Sequence, residues 1–315
     1  MRVVVTGGNG LVGKALQDLV ESCSGDAEWV FLAGRNDVDL LDKASVVEVF
    51  ERLKPDVVVH LAARCGGLYM NMEHNEAMFV DNVSMNMNVV RAAEHVGVKR
   101  FVAMLSTCVF PDPAPGLPLT EDMIHMGPAA KTHEGYAVSK RVLELHCRLS
   151  SIPETVCLIP TNIFGPWDNF RLDEAHVVPA LIHKCYLAKQ RGEKFVVMGS
   201  GKAKRQFIFS GDLARIVRWA AVERPSRSGH DAFICVGGRS ESEEYSIQEV
   251  AEEIAKGMDY GHELVYDTSM TDGQIKKTAS NRKLMAEMRF EFADFKEKLR
   301  ETIEWFKEHY EVSRH

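Results

Sequence analysis

Ser106, Cys108, Tyr136 and Lys140 are the side chains of this sequence whose types and spacing could do chemistry. Ser106 and Cys108 stand in LSTCVF, at the end of an apolar run, 101–106 (FVAMLS), that predicts a buried strand; two apart in an extended chain, they would point to one side of a cleft. Tyr136 and Lys140 stand in GYAVSK, which opens a predicted helix 28 residues after Cys108, and their spacing of four puts them on one helical face. An ammonium beside a phenol favours the phenolate and would lower a pKa that is about 10 in isolation. Such a tyrosine could exchange a proton with a carbonyl or an alcohol near neutral pH. Tyrosine and lysine are also common on half-buried helix faces, so the pair gains meaning only from what surrounds it.

The N-terminus supplies that context. Residues 2–6 (RVVVT) read as a short buried strand, Gly7, Gly10 and Gly13 follow with the spacing G-x-x-G-x-x-G around Leu11 and Val12, and an amphipathic helix runs to about Val20. Such a turn lets backbone approach a pyrophosphate at a helix N-terminus, where free N–H groups and the helix dipole favour an anion. A second strand, 28–32 (EWVFL), should end beside the adenosine ribose, where an NAD site has an acidic residue for the 2′-hydroxyl. This chain has Gly34, Arg35 and Asn36 there, with Asp37 and Asp39 further on, and a guanidinium fork suits a 2′-phosphate. The expected cofactor is therefore NADP(H).

With these residues in hand, the chain resembles the extended short-chain dehydrogenase/reductases. Beyond TGGNGLVG, DLLD (39–42), HLAA (60–63) and the Tyr136/Lys140 pair, it carries CGGLYMN, STCVFP, PTNIFGPWDNF, HVVPALIHK and RQFIFSGDLA, runs that resemble one branch of that family over nearly the whole length. The resemblance implies an NADPH-dependent enzyme that epimerises C3 and C5 of GDP-4-keto-6-deoxy-D-mannose and then reduces C4, giving GDP-L-fucose. On the same ground Asp39, Leu41, Leu61, Ala62, Ala63, Pro160, Asn162 and Ile163, with Tyr136, Lys140 and His176, join the glycine loop and Arg35 in the cofactor site.

Inverting a carbon beside a ketone requires removing an α-proton from one face and returning a proton to the other, so two groups must flank the ring. The resemblance assigns them to Cys108 and His176. It has Ser106 hold the C4 oxygen, Tyr136 donate its proton to stabilise enolate and alkoxide, and Lys140 tune Tyr136 and bind the nicotinamide ribose. A thiol needs only modest help from positive charge to approach neutrality, and histidine titrates there already. Which of the two is base at each carbon stays open. Cysteines are commonly small buried residues at strand ends, but the place of Cys108 two from Ser106 and ahead of Phe110-Pro111 counts against that reading; taken without the resemblance, His176, ahead of VVPALI, reads as a helix cap or a solvated side chain.

Substrate binding needs positive charge near a diphosphate, and Lys184, Arg205 and Lys277 are the candidates, beside Ser106, Cys108 and Asn162. Lys184 stands where the family often has arginine, and an ammonium lacks the bidentate contact of a guanidinium. Cys23, Cys65, Cys147, Cys157, Cys185 and Cys235 show no metal-ligand spacing, so no metal is expected; Cys65, beside Gly66 and Gly67, lies near the expected cofactor edge.

Lys and Arg number 38 against 45 Asp and Glu, a formal net charge of −7, without a basic stripe interleaved with aromatics, so nucleic acid is not an expected partner. No apolar run approaches the roughly 18 residues needed to span a bilayer. With a strand entered at once, no basic and apolar leader and an odd number of cysteines, seven, the cytosol is the expected compartment.

Apolar strands at 2–6, 28–32, 57–63, 101–106 and 155–160 alternate with amphipathic helices, the pattern of an α/β fold: a Rossmann-type doubly wound parallel sheet with ligands at the carboxyl ends of its strands. Residues 1–165 and 205–238 are expected to form the NADP-binding domain, and 166–204 with 239–315 a smaller substrate-binding lobe. The resemblance implies that apolar faces near 81–97 (Val83, Val89, Val90) and 136–150 (Val142, Leu143, Leu145) pair across a homodimer. Two other functions fit parts of the pattern. A 4,6-dehydratase or C4-epimerase shares the fold, but a dehydratase needs an acidic pair where this chain has Thr107 and Cys108; a non-catalytic NADP-binding protein would be signalled by loss of Tyr136 or Lys140, and both are present.

Overall fold

The computed structural model describes every residue except 24, 26, 239–242, 271, 273 and 315. Short valine-rich runs, apolar at every position, give strands buried on both faces. β1 (Arg2–Thr6) leads through the glycine turn into α1 (Leu11–Glu21), followed by β2 (Glu28–Leu32), α2 (Lys43–Leu53) and β3 (Val57–His60). Then come α3 (Leu68–Glu73), α4 (Asn75–His95), β4 (Arg100–Met104), α5 (Glu134–Leu149), β5 (Glu154–Pro160) and β6 (Asn162–Phe164). The chain continues through α6 (Val177–Arg191), β7 (Phe195–Met198), β8 (Lys204–Arg205), β9 (Phe207–Phe209) and α7 (Ser210–Arg218) to β10 (Gly229–Cys235). It closes with β11 (Tyr245–Ser246), α8 (Ile247–Gly257), β12 (Leu264–Asp267), α9 (Arg282–Glu287) and α10 (Phe295–Glu308).

Six parallel strands lie in the order β10-β5-β4-β3-β1-β2. Alternate residues of each strand face opposite sides. Val4, Val58, Phe101 and Cys157 pack with Val46, Phe50, Val89, Val90 and Leu143 of α2, α4 and α5. Val3, Val5, Val57, Val102 and Val156 pack with Val12 and Leu16 of α1 and Leu213 and Ile216 of α7. The strand order reverses at β1, so a crevice opens beyond the carboxyl ends of β1 and β3, where ligands of doubly wound sheets bind.

Two strands stop earlier than the apolar runs suggest. β3 ends at His60 because its neighbour β1 ends at Thr6, its register partner. Leu61, Ala62 and Ala63, expected within the strand, instead form the loop against which Gly7 packs. β4 ends at Met104, and Ser106 already caps a single 3-10 turn, Thr107–Val109. His60 fastens this edge: its Nδ1 accepts from Thr6 Oγ1 at 2.7 Å and its Nε2 meets Asn86 Oδ1 of α4 at 2.9 Å. Full burial holds its pKa down to about 3, so the ring is neutral.

The remaining elements build a second core. β6 pairs with β9, β7 with β12 and β8 with β11. Phe164, Phe170, Val178, Ile182, Phe195, Ile254, Leu299 and Phe306 close around α6, α8 and α10. Within the segment 205–238, α7 and β10 lie on or in the main sheet, whereas Arg205 and Phe207–Phe209 belong to the small two-stranded ladders. The expected boundary at 239 falls on residues outside those described.

The apolar faces assigned to a dimer need correction. Val89, Val90 and Leu143 are fully buried in this chain's own core, because α4 and α5 pack on each other and on the sheet. Of those six residues, Leu145 is exposed and Val83 and Val142 are half-buried.

A buried ion network secures the far edge. Glu154, 2 % exposed, accepts from Arg100 Nε at 2.9 Å and from Arg224 Nη1 at 2.6 Å, and Arg100 also donates to the carbonyls of Ala221 and Arg224. Removing the carboxylate leaves Arg100 with backbone carbonyls alone and Arg224 with Asp231 as its remaining counter-ion. Glu154→Ala is expected to cost about 3–5 kcal/mol in urea unfolding; a loss below about 1 kcal/mol would mean that water reaches the pair.

Candidate active site

Every residue expected at the site lines one cleft of about 1040 Å³ between the carboxyl edge of the sheet and the second core. At its floor the glycine turn folds tightly. Gly7 has φ +77°, and a Cβ there would sit 2.7 Å from Ala62 N; a Cβ on Gly13 would sit 2.4 Å from the Gly7 carbonyl oxygen. Gly10 caps α1 without a side chain, which leaves the first-turn N–H groups at Leu11 and Val12 free for an anion. This backbone cradle fits a dinucleotide pyrophosphate.

Around it stand Leu61, Ala62 and Ala63 on one side and Pro160, Asn162 and Ile163 on the other. Asn162 is fixed by Nδ2 donating to Gln206 O at 2.9 Å. At the β2 end Arg35 is exposed. Neither nearby carboxylate is free there: Asp37 Oδ2 accepts from Ala33 N at 2.6 Å, and Asp39 Oδ1 from Leu41 N at 3.0 Å. An acidic partner for a ribose 2′-hydroxyl is thereby committed to the local turn, while a guanidinium faces solvent at the rim.

The reactive groups converge from two directions. Ser106 Oγ accepts from Cys108 N at 3.2 Å, so the 3-10 turn, not an extended alternation, brings the hydroxyl and the thiol together. Lys140 Nζ donates to Met104 O at 2.7 Å and lies 5.8 Å from the Tyr136 ring centroid. Burial holds the Lys140 pKa down to about 8.

The expected depression of the Tyr136 pKa is not what this site produces. Burial, and then the Cys65 and Cys108 thiols, push the phenol well above its usual value. The desolvated pocket disfavours phenolate more than the ammonium on Lys140 favours it, so Tyr136 rests as a proton donor. Cys108 goes the other way. Burial would raise its thiol, but His133, by charge and hydrogen bond, then Lys277 and the Ser106 hydroxyl bring it down to about 6.

His176 caps α6 and projects into the cleft from the second core; water reaches it, yet the surrounding walls strip enough hydration to lower its pKa. Lys184, Arg205 and Lys277 are half-buried on the same wall, and Arg205 Nη1 donates to Gln274 O at 2.7 Å. Three cations thus face one cleft of an acidic protein.

Residues not singled out in the sequence also reach the cleft. His133, a turn before Tyr136, is the most consequential, and its spacing of three from Tyr136 on a helix start was the available signal. Asp168, in the PTNIFGPWDNF run, is buried with Oδ2 unpartnered, and burial lifts its pKa to about 7. Cys65, expected near the cofactor edge, lines the cleft with an exposed side chain. Among the described residues no cluster of His, Cys, Asp and Glu could hold a metal, and no helix is long and apolar enough to cross a membrane.

Comparison with known proteins agrees with this geometry. The sequence profile of the NAD dependent epimerase/dehydratase family matches residues 3–237. The GDP-L-fucose synthase of Dictyostelium discoideum is 40% identical over 323 residues, covering 99% of this chain and 97% of its own. The GDP-L-fucose synthase of Azorhizobium caulinodans is 32% identical over 281 residues, covering 88% and 86%. The crystal structure of a GDP-L-fucose synthetase from Naegleria fowleri bound to NADP superposes with a TM-score of 0.90 at 39% identity, covering 100% of this chain and 95% of that one. The chain belongs to the NAD dependent epimerase/dehydratase family, within the extended short-chain dehydrogenase/reductases.

Proposed function

We propose that this protein converts GDP-4-keto-6-deoxy-D-mannose to GDP-L-fucose, epimerising C3 and C5 and then reducing C4 with NADPH. The observation that carries the reading is the Cys108 thiol, drawn down to about 6 in the cleft that also holds Tyr136, Lys140 and the glycine loop. A plain keto-sugar reductase needs no such proton-transfer group, and a dehydratase would need carboxylates at Thr107 and Cys108.

The glycine loop at Gly7, Gly10 and Gly13 would take the pyrophosphate of NADPH, Arg35 its 2′-phosphate, and Lys140 the nicotinamide ribose. When bound, the cofactor supplies a hydride to C4. Lys184, Arg205 and Lys277 would hold the GDP diphosphate. Ser106 and Tyr136 would hold the C4 oxygen, and the raised Tyr136 pKa keeps a proton available for it. Cys108 and His176, carried by opposite walls, would exchange protons with the two faces of the ring. The exposed Phe79 and Val80 of α4 and Leu145 and Leu149 of α5 offer the apolar surface for a homodimer.

Four outcomes are expected. In D₂O without NADPH, the protein should place deuterium at C3 and C5 of the substrate by NMR, and added NADPH should then be oxidised. Cys108→Ser should cut exchange by about 10²-fold or more while NADPH still binds; normal exchange in that variant would remove Cys108 from the proton transfers. Arg35→Ala should raise the KM for NADPH about tenfold and leave that for NADH unchanged; equal loss for both would make Arg35 a general rim residue. By light scattering at micromolar concentration, the mass should be twice the 35.3 kDa of the chain, and a monomer would overturn the dimer.

A further inference from the structure

A proton has to be kept on one side of the ring for the proposed epimerisation, and the two groups already assigned do not obviously keep it. The cleft walls favour neutral His176, and the surroundings of Cys108 favour thiolate. Two bases and no acid would exchange an α-proton on either face but could not return one to the opposite face.

The His133 ring stands where that proton could be stored. It ends the 3-10 turn Lys131–His133 that leads directly into α5, with its backbone N–H bonded to Ala130 O at 3.2 Å. Asn75 clamps the junction: its Nδ2 donates to Lys131 O at 3.1 Å, its Oδ1 accepts from Gly135 N at 2.5 Å, and a Cβ on Gly135 would sit 2.0 Å from the Asn75 carbonyl oxygen. Within this fixed turn Nδ1 of His133 meets Thr132 Oγ1 at 3.0 Å. The other ring nitrogen, Nε2, is buried without a hydrogen-bond partner, at a cleft wall shared with Cys108. A buried polar nitrogen is costly unless it is paired, and the Cys108 thiol on that same wall is the group able to pair it.

We propose that His133 is a positioning residue for Cys108, its Nε2 sharing one proton with Sγ so that the pair delivers and recovers that proton during epimerisation. The inference rests on the epimerase reading above. The pair holds a single proton, as thiolate with imidazolium or as thiol with imidazole. Neutral His176 removes the α-proton, and the electrons of that C–H bond form the enolate, whose oxygen Ser106 and Tyr136 hold. Sγ–H, its proton drawn from Nε2, protonates the carbon from the other face as the enolate collapses. His176 is then protonated, and the pair is left as thiolate with neutral imidazole. His176 then gives its proton to solvent, which reaches it, and the pair takes one back, restoring the starting state; the same transfers in the same direction invert the second carbon, because the hydrogens at C3 and C5 of the pyranose lie on one face. Each inversion therefore places one solvent-derived proton on carbon, which is what deuterium at C3 and C5 reads.

Other charged or titratable groups facing Cys108 are Tyr136 from α5 and Lys277 and Arg205 from the opposite wall. All three remain in His133→Asn and His133→Gln, so these variants isolate the imidazole. The test is the pH dependence of Cys108 alkylation by iodoacetamide, read at that residue by peptide mass spectrometry, together with deuterium exchange at C3 and C5 at pH 7. Both variants should move the labelling midpoint up by about one pH unit or more and slow exchange at least about tenfold. An unchanged midpoint in variants that bind NADPH normally overturns the pairing, even if the wild type exchanges deuterium. A shifted midpoint in a wild type that exchanges none overturns the epimerase reading and leaves the pair standing. Should both variants fail to fold, histidine-selective ¹⁵N NMR of the wild type and of Cys108→Ser decides: the His133 titration must change when the sulfur is removed, and an identical curve overturns the proposal.

Discussion

One hydrogen bond sets the reactive centre: Lys140 Nζ, 1 % exposed, donating at 2.7 Å to the carbonyl of Met104. A buried ammonium is costly without a partner, and the last carbonyl of β4 lies where the strand ends and the 3-10 turn begins. The bond fixes α5 against the end of β4. Tyr136, one turn before Lys140, and Ser106 and Cys108, just beyond Met104, are therefore positioned relative to a single contact. A hydrophobic side chain at 140 could fill the same space but would release both the strand end and the helix.

Burial then separates the acid from the base. The same desolvated pocket raises Tyr136 and would raise Cys108, and only Cys108 has cationic and hydrogen-bonding neighbours strong enough to reverse it. Pairs of titratable groups driven apart by their surroundings identify which gives and which takes a proton. Lys277 serves both ends of this arrangement, being among the half-buried cations of the substrate wall and one of the groups that lower the thiol. Cationic charge that could bind a diphosphate thus also favours the thiolate.

The sheet was legible because buried parallel strands are apolar at every position, and the strands from Arg2, Glu28 and Glu154 lie within a residue of where the apolar runs place them. Strand ends were less so: an apolar run does not say where its neighbour stops, which is what ends β3 at His60. Tyr136 and Lys140 could be paired from their spacing, yet the sign of the Tyr136 shift depends on how completely the pocket excludes water, a property of packing among distant segments. The same holds for Val89, Val90 and Leu143, whose apolar character fits a dimer face as well as a core until α4 is seen to lie against α5. His133 escaped notice because its meaning comes from Cys108, 25 positions away in sequence.

Epimerisation and reduction make the same demand on one atom, which explains how a single cleft could serve both. Proton removal at C3 or C5 places negative charge on the C4 oxygen as enolate, and hydride addition places it there as alkoxide. A clamp of one hydroxyl and one reluctant phenol, Ser106 and Tyr136, stabilises either species without moving. What differs between the steps is the group that faces the ring carbons. Because the clamp is anchored to the Lys140–Met104 bond and the thiol to the adjoining 3-10 turn, the ring can keep its oxygen in place while the chemistry passes from its flanking carbons to C4.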